Sequence, residues 1–252
     1  MTIVPMRDKA SDKSEMISQL LFGESFKIIQ VSEDKKWWKI QDDFDGYTGW
    51  IDKKQGKEIS HDYYHQIQAL EYKISTDIIS SILYKKQLLN IVIGSILPIT
   101  SSELFEMQEQ FAFNGESKNL GKKSDYEELK KIALKYLNSP YLWGGKTPFG
   151  IDCSGFTQQV FKVCGYTLKR DSHQQYMQGK KVKFSETLPG DVAFFSNDQE
   201  KIIHVGIVLE DRKIIHASGK VRIDLLDEKG IFNEEINEYT HKLAGLRRLL
   251  VE

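Results

Sequence analysis

One cysteine stands where a thiol could act as a nucleophile. Cys153 follows Ile151-Asp152 and begins a predicted helix. A helix N-terminus presents unpaired N–H groups and positive potential to a side chain there, and both favour thiolate over thiol. Gly144, Gly145 and Gly150 precede the cysteine and leave the approach to its sulfur open. We therefore predict that Cys153 is a nucleophile held as a thiolate near neutral pH.

Two histidines could supply the base that a cysteine nucleophile needs, and the group that orients this base. His204 and His216 lie in two neighbouring runs of alternating residues that predict strands, joined by a hairpin loop at 210–212. If Leu209 faces Lys213, even-numbered residues of both strands lie on the same face. His204 and His216 are then diagonal neighbours that could cover the helix start at Cys153.

The sequence does not predict a catalytic role for the other cysteine or for the other histidines. Cys164 is 11 residues after Cys153 on the apolar stripe of the same helix, and a helix separates such residues by about 16 Å, too far for a disulfide. We interpret Cys164 as a buried apolar side chain and both cysteines as free thiols. His61 and His65 have the spacing of a metal pair without a third ligand, and no role is assigned to His241. The sequence predicts no metal and no cofactor.

The first 118 residues are rich in short strand patterns. Runs of β-branched and aromatic residues recur between Gly, Asp, Asn and Lys clusters, which indicates small barrels rather than βαβ units. A polar, glycine-containing stretch at 114–123 predicts a linker. The predicted strands cover 26–31, 37–40, 47–51, 88–93 and 95–99.

The remainder, 124–252, predicts an α+β domain with an antiparallel sheet. Tyr126–Leu137 has helical periodicity, and Ser124 with Glu127 fits a capping box at its start. A second helix is predicted over 154–163 and ends at Gly165. Predicted strands follow at 191–195, 202–209 and 213–217.

Charge and hydropathy limit the partners. The chain of 252 residues has 35 Lys and Arg against 36 Asp and Glu, a balance that argues against nucleic acid as a partner. The longest uncharged stretch, 87–102, is interrupted by Gly94 and Pro98, whereas a membrane helix needs about 20 apolar residues. No apolar leader precedes the first strands. We expect a cytoplasmic monomer; a periplasmic or secreted protein is the alternative if a signal segment has been removed.

An ordered set of motifs over 125–250 resembles the NlpC/P60 family of cell-wall cysteine peptidases. The motifs are Pro140–Gly145, Asp152–Gly155, Arg170-Asp171-Ser172, Pro189-Gly190-Asp191, His204-Val205-Gly206 and Ile215–Ser218. The resemblance implies a papain-like fold and a Cys-His-His triad. It makes Cys153 the nucleophile, His204 the base and His216 the residue that orients His204.

The first part of the chain resembles the bacterial SH3 domains that precede this catalytic domain in γ-D-glutamyl-L-diamino acid endopeptidases. The resemblance rests on Met6-Arg7, Ser14-Glu15-Met16, Gln19, Phe22-Gly23-Glu24, Trp38 and Gly46–Trp50. The implied domains are an SH3-like domain at 1–56, a second SH3-like or linker β domain at 57–118, and an α+β papain-like peptidase at 124–252.

The resemblance also implies a substrate pocket. Glu15, Tyr47 and Asp152 match positions around the free amine of an N-terminal L-Ala. An ammonium there requires a carboxylate partner. Arg170 and nearby hydroxyl groups suit the α-carboxylate of γ-D-Glu. The positions expected to line this L-Ala-γ-D-Glu pocket are Tyr141, Trp143, Ser154, Arg170, Asp171 and Ser172.

We therefore expect a cysteine peptidase that cuts the γ-D-Glu–diamino acid bond of peptidoglycan stem peptides with a free L-Ala, as in murein peptide recycling. The diamino acid is either meso-diaminopimelate or Lys. Two alternatives remain: an exported D,L-endopeptidase that acts on intact wall, and a non-catalytic wall-binding protein. The joint presence of Cys153, His204 and His216 argues against the second.

Overall fold

The structure is a computed structural model that describes residues 1–62, 64, 65, 72–84, 87–97 and 111–250. It divides into two compact units, Met1–Lys122 and Lys123–Glu252. The first unit is rich in strands, whereas the second contains both helices and strands.

The first unit begins with a five-stranded antiparallel sheet in the order β2-β1-β5-β4-β3. Its core consists of apolar side chains that alternate along these strands, which is how a half-buried strand packs. The cluster contains Val4, Met6, Leu20, Trp38, Ile40 and Ile51. The strands are β1 (Ile3–Arg7), β2 (Met16–Leu21), β3 (Phe26–Val31), β4 (Trp37–Asp42) and β5 (Thr48–Asp52), followed by a 3-10 turn at Lys53–Gln55.

Two three-stranded sheets follow, in the orders β10-β7-β8 and β11-β6-β9. The predicted strand at 95–99 is found only as Ile96–Leu97, and its last two residues lie outside the described part of the chain, as do several other stretches of 57–118. The predicted linker at 114–123 is wrong in its middle, because Ser117 pairs with Ser75. The strands are β6 (Lys73–Ser75), β7 (Ile79–Tyr84), β8 (Gln87–Val92), β9 (Ile96–Leu97), β10 (Phe111–Asn114) and β11 (Ser117–Asn119).

The second unit opens with helices. Helix α1 (Tyr126–Lys135) is capped by Asp125, whose side chain accepts a hydrogen bond from the amide of Glu128 at 3.0 Å. The prediction that Ser124 caps this helix is therefore wrong by one residue, because the carboxylate nearest the first turn takes that role. The later elements are β12 (Lys146–Thr147), β13 (Gly150–Ile151), α2 (Cys153–Val163) and α3 (Ser172–Gln175).

Seven strands then form an antiparallel sheet in the order β14-β20-β15-β16-β17-β18-β19, and β19 also pairs with β20. The six strands β15 to β20 therefore close on themselves as a barrel, and α2 packs against β16 and β17. The strands are β14 (Lys180–Val182), β15 (Val192–Ser196), β16 (Ile202–Val208), β17 (Lys213–Ser218), β18 (Lys220–Leu226), β19 (Gly230–Asn233) and β20 (Glu238–Arg248), with a 3-10 turn at Phe184–Glu186. The predicted antiparallel α+β fold is confirmed.

Candidate active site

Cys153 is the first residue of α2, and Asp152 fixes the turn that leads into it. The Asp152 carboxylate accepts hydrogen bonds from the amides of Gly155 at 2.6 Å and Gly144 at 2.8 Å. The turn is so tight that a Cβ at Gly155 would lie 2.3 Å from the carbonyl oxygen of Gly145. Cys153 is only 6% exposed, so its sulfur is held in one place at the base of the site.

Asp152 also forms a buried ion pair with Arg170. Arg170 is 1% exposed, and its Nη2 lies 2.6 Å from Oδ2 of Asp152 while its Nη1 lies 3.0 Å from Oδ1. The same Nη1 donates to the hydroxyl of Ser154 at 3.0 Å. These three residues, each predicted to bind substrate, thus bind one another. Their predicted roles toward substrate remain predictions.

The environment of Cys153 favours the thiol over the thiolate. Burial is the main cause, with the Asp152 carboxylate adding to it, and together they raise the pKa of Cys153 to about 12. The backbone N–H of Val205 and the Arg170 guanidinium act in the opposite direction but more weakly. The prediction that the helix start holds a resting thiolate is therefore wrong. The sulfur must lose its proton to a base as it attacks.

The structure brings the two predicted histidines together. Gly206 lies opposite His216 and Ile207 lies opposite Ile215, so the predicted hairpin pairing is confirmed. His204 and His216 share one face of the sheet, with Nε2 of His204 2.8 Å from Nδ1 of His216. Both rings are buried, at 5% and 1% exposure.

His204 has the protonation state of a base. Burial lowers the pKa of His204 well below its ordinary value, and the neighbouring rings of His216 and His241 lower it further. The imidazole is therefore neutral at pH 7 and able to accept a proton. Because its Nε2 is bonded to His216, Nδ1 is the ring nitrogen that remains to accept a proton from another group.

The hydrogen-bonded line continues beyond His216 to an acid that we did not predict. Nε2 of His216 lies 2.8 Å from Oδ2 of Asp224, and Arg222 donates to both oxygens of that carboxylate at 2.8 and 2.9 Å. Burial alone would raise the pKa of Asp224, but the hydrogen bonds from His216 and Arg222 outweigh it and hold the pKa below its usual value. The alternating pattern of 220–226 could have predicted this acid. It indicates a further strand in which Asp224 lies opposite Ile214, on the same sheet face as His216.

His241, to which no role was assigned, stacks on His204. The two ring centroids are 4.1 Å apart with 26° between the planes. Burial and His216 lower the pKa of His241 to about 4, so the stacked ring is neutral. No local signal pointed to this residue, because β20 approaches β16 through the long-range pairing of both strands with β15.

The remaining pocket residues of this unit lie on loops and a short helix. Tyr141 and Trp143 are exposed, at 36% and 60%, as aromatic side chains that could contact a ligand are. Burial of the Tyr141 hydroxyl, together with the nearby Cys153 and Asp152, raises the pKa of Tyr141 to about 12. Asp171 precedes α3, where its amide donates to the Gln174 side chain at 3.3 Å. Ser172 begins that helix.

Glu15 and Tyr47 belong to the first unit. Glu15 is an exposed residue just before β2, and its carbonyl oxygen accepts from the amide of Asp8 at 3.0 Å. Tyr47 is half-buried and packs on the core of the five-stranded sheet. Their part in binding an amine stays a prediction.

Among the described residues, no three His, Cys, Asp or Glu side chains lie together in a group that could hold a metal ion. His61 and His65 approach each other, with 3.1 Å between their Nε2 atoms. No described helix has the length and apolar character required to cross a membrane.

Comparison with protein-family models gives two matches. Residues 138–239 match the NlpC/P60 family, and residues 6–55 match the bacterial dipeptidyl-peptidase Sh3 domain. The first match contains the proposed triad, and the second contains Glu15 and Tyr47.

A gamma-D-glutamyl-L-lysine dipeptidyl-peptidase of Bacillus subtilis (strain 168) is 30% identical over 253 residues, which cover 93% of this chain and 81% of the relative. The chain belongs to the NlpC/P60 family. It is a cysteine-type hydrolase of that family. A bacterial dipeptidyl-peptidase SH3 domain precedes the peptidase domain in the sequence. A Bacillus cereus (strain ATCC 10987 / NRS 248) protein of the same name is 26% identical, over 95% of this chain and 77% of its own.

Solved structures agree on the fold of this NlpC/P60 protein. An NlpC/P60 family protein from Bacillus cereus ATCC 10987 superposes with a TM-score of 0.77 at 23% identity, over 92% of this chain and 82% of the other. An NlpC/P60 endopeptidase from Photobacterium damselae subsp. piscicida has a TM-score of 0.70 at 17% identity, over 88% and 64%.

Proposed function

We propose that this NlpC/P60 hydrolase cuts the γ-D-Glu–diamino acid bond of free peptidoglycan stem peptides and releases L-Ala-γ-D-Glu. The observation that carries the proposal is the position of Cys153 at a helix start, where its sulfur meets the backbone N–H of Val205, the residue next to His204. His204 in turn pairs with His216, with 2.8 Å between their nitrogens. The names of the two long relatives, which specify a γ-D-glutamyl bond and a dipeptidyl product, support the choice of bond.

The reaction begins from a neutral thiol and a neutral imidazole. Sγ of Cys153 attacks the γ-carbonyl carbon of D-Glu while Nδ1 of His204 takes the thiol proton. Backbone N–H groups at the start of α2, including that of Cys153, donate to the oxyanion. When the C–N bond breaks, His204 returns its proton to the leaving amine of the diamino acid.

The second half of the reaction removes the acyl group from sulfur. His204 takes a proton from a water molecule, whose oxygen attacks the thioester carbonyl. The C–S bond breaks and His204 returns the proton to the leaving sulfur. The dipeptide L-Ala-γ-D-Glu leaves with a new γ-carboxyl group, which releases its proton to solvent, and Cys153 is again a thiol.

As the resemblance implies, we propose Glu15, Tyr47 and Asp152 as the residues that recognise the L-Ala amine of the substrate. The relevant charge at Asp152 is that of its pair with Arg170, because each already holds the other at 2.6 Å. Glu15 is then the main partner for an ammonium, and Arg170 orders the pocket through Asp152 and Ser154.

We place the reaction in murein peptide recycling in the cytoplasm, carried out by a monomer. Both cysteines are free thiols, which suits a reducing compartment. Cell fractionation with an antibody to the protein tests the location, and an exported protein would favour action on intact wall.

The decisive experiment digests matched peptides and identifies the products by mass spectrometry. L-Ala-γ-D-Glu-L-Lys and its meso-diaminopimelate counterpart are compared, each with a free or an acetylated amine. We expect cleavage after D-Glu and at least about a hundredfold lower kcat/KM for the acetylated forms. A bound acetyl amide would desolvate the Glu15 carboxylate without giving it an ammonium partner, which typically costs several kcal/mol. Glu15→Gln should lower the ratio of kcat/KM on the free peptide to kcat/KM on the acetylated peptide, because it weakens binding of the free amine.

Two controls separate the chemistry from the specificity. Cys153→Ala should abolish cleavage of every peptide, whereas Cys164→Ala should leave it unchanged. Cleavage by the Cys153 variant would refute the mechanism. Equal rates on free and acetylated peptides would instead favour an intact-wall endopeptidase.

A further inference from the structure

The two catalytic histidines and a carboxylate form a hydrogen-bonded chain, with His204 at one end, His216 in the middle and Asp224 at the other end. His204 contacts His216 at 2.8 Å, His216 contacts Asp224 at 2.8 Å, and Asp224 is clamped by Arg222. Asp224 is 8% exposed. Register places the line on one face, since His216 lies opposite Arg222 and Ile214 lies opposite Asp224.

We propose that Asp224 is a positioning residue that sets the tautomers of both histidines, and so keeps the Nδ1 lone pair of His204 free for the thiol proton. This inference rests on the proposed function, because it assumes that His204 is the base for Cys153. It adds a residue beyond the Cys-His-His triad implied by the resemblance.

The tautomers follow from the chemistry of the donors and acceptors. An ionised carboxylate only accepts hydrogen bonds, so His216 must carry its proton on Nε2, toward Asp224. Nδ1 of a neutral His216 is then an acceptor, and His204 must donate to it from Nε2. A neutral His204 has one ring proton, which leaves its Nδ1 unprotonated.

The opposite arrangement is disfavoured at both ends of the line. If His216 carried its proton on Nδ1, its Nε2 lone pair would face a carboxylate oxygen at 2.8 Å. His204 would then carry its proton on Nδ1 and could not accept one from Cys153. An unpaired buried acceptor typically costs about 1–3 kcal/mol, so this resting state is rare.

Arg222 keeps the acid ionised and in place. Its Nε and Nη2 donate to the two oxygens of Asp224 at 2.8 and 2.9 Å, a fork that matches a carboxylate. Nη2 also lies 3.0 Å from a carboxylate oxygen of Glu235. The pKa of Asp224 is held below its ordinary value by His216 and Arg222 despite its burial, so the carboxylate is present over the working pH range.

Several charged or titratable groups from different elements surround His204, and a pH profile must be interpreted with all of them. His216 on β17 and His241 on β20 face His204 directly. Asp224 and Arg222 on β18 act on His204 through His216, and Asp224 also acts on His241. Asp152 and Arg170 act on the sulfur of Cys153. Asp224 is bonded directly to the partner of His204. Its negative charge therefore favours the imidazolium that forms on His204 during the reaction.

The test replaces the carboxylate by an isosteric amide, Asp224→Asn, in the full chain. The amide can donate to Nε2 of His216 and so stabilise the wrong tautomer. In a triad where the acid touches the base directly, such a change costs about 10⁴ in kcat. With one imidazole in between, we expect kcat to fall by about a hundredfold with KM within twofold, and the acid limb of kcat/KM to move to lower pH.

Asp227→Asn is the matched control. Asp227 lies directly after β18 and, like Asp224, has a lowered pKa. It accepts from the amides of Lys229 and Gly230 and from Tyr239 rather than from a histidine. This variant should keep the wild-type kcat and pH profile. Equal losses in the two variants would overturn the proposal, since a general effect on the strand would then suffice.

A second measurement needs neither activity nor a variant. Nitrogen-15 spectra of histidine-labelled wild-type protein report which ring nitrogen is protonated. We expect His204 and His216 both to carry the proton on Nε2; a proton on Nδ1 of His216 would overturn the proposal. Loss of cleavage in Cys153→Ala tests the proposed function separately, so normal activity of Asp224→Asn overturns only the role of Asp224.

Discussion

Two aspartate–arginine pairs flank the catalytic centre, and they resemble each other closely in isolation. Asp152 and Arg170 meet at 2.6 Å beside Cys153, and Asp224 and Arg222 meet at 2.8 Å beside His216. They differ in the groups that share each carboxylate. Asp152 also accepts from the backbone amides of a turn, whereas Asp224 also accepts from an imidazole.

The group that shares each carboxylate indicates what the pair does. A backbone amide cannot change its protonation state, so the hydrogen bonds of the first pair fix the shape of the helix start. An imidazole has two tautomers, so the second pair can select between them. The following predictions test this division between a shape pair, Asp152–Arg170, and a tautomer pair, Asp224–Arg222.

The largest effect is expected when the shape pair is broken. Asp152→Ala removes a helix cap and leaves Arg170 buried without its carboxylate, so the free energy of unfolding of the second unit should fall by about 3–5 kcal/mol. Urea denaturation followed by circular dichroism measures it. Asp125→Ala is the control, because it removes only the cap of α1 and should cost about 1 kcal/mol.

Similar losses in the two variants would show that the Arg170 charge is not stranded by the substitution. The Asp152–Arg170 ion pair would then add no stability beyond the helix cap, and its assignment as the shape pair would be wrong.

The next effect concerns the sulfur. Asp152 raises and Arg170 lowers the pKa of Cys153, so the two charges oppose each other and burial decides its value of about 12. Thiolate absorbance at 240 nm, taken as wild type minus Cys153→Ser, should therefore be absent from pH 5 to 9, where less than about 1% of such a thiol is ionised. An absorbance step near neutral pH would mean that the shape pair sets protonation after all.

The smallest effect is expected from replacing each arginine with lysine, which retains the charge but loses the fork. Arg170→Lys should lower the free energy of unfolding by about 2 kcal/mol, because the side chain is fully buried with three acceptors around it. Arg222→Lys should cost below about 1 kcal/mol, since its side chain is 18% exposed. If Arg222→Lys lost more unfolding free energy than Arg170→Lys, Asp224–Arg222 would be the pair that fixes local shape, contrary to our assignment.

The parts of this protein that depend on neighbouring residues in the sequence were predictable. The pairing of 202–209 with 213–217 follows from alternation around one hairpin loop, and it placed His204 and His216 on one face. The same parity argument carried one strand further would have reached Asp224. The helix at 154–163 and its end at Gly165 also follow from local pattern, and Gly165 takes a φ of 83°.

The parts that depend on burial or distant contacts were not predictable. The local potential at a helix start suggested a thiolate at Cys153, but desolvation exceeds it, and burial of one side chain is a property of the whole fold. Arg170 meets Asp152 across 18 residues, and His241 reaches His204 because β20 and β16 both pair with β15. Ser124 was a local error, since Asp125 is the better cap and is adjacent to the helix.

Closure of the barrel by β20 ties the appearance of activity to the order of folding. β14 and β20 pair Lys180 with Arg248, and β20 also pairs with β15 and β19, so the last strand joins partners from across the unit. Such distant pairings form slowly. His241, which stacks on His204, is on this strand. After dilution from denaturant, the rate at which peptidase activity recovers should therefore report the rate at which β20 pairs with its neighbours. The circular dichroism of the secondary structure should recover earlier than the activity.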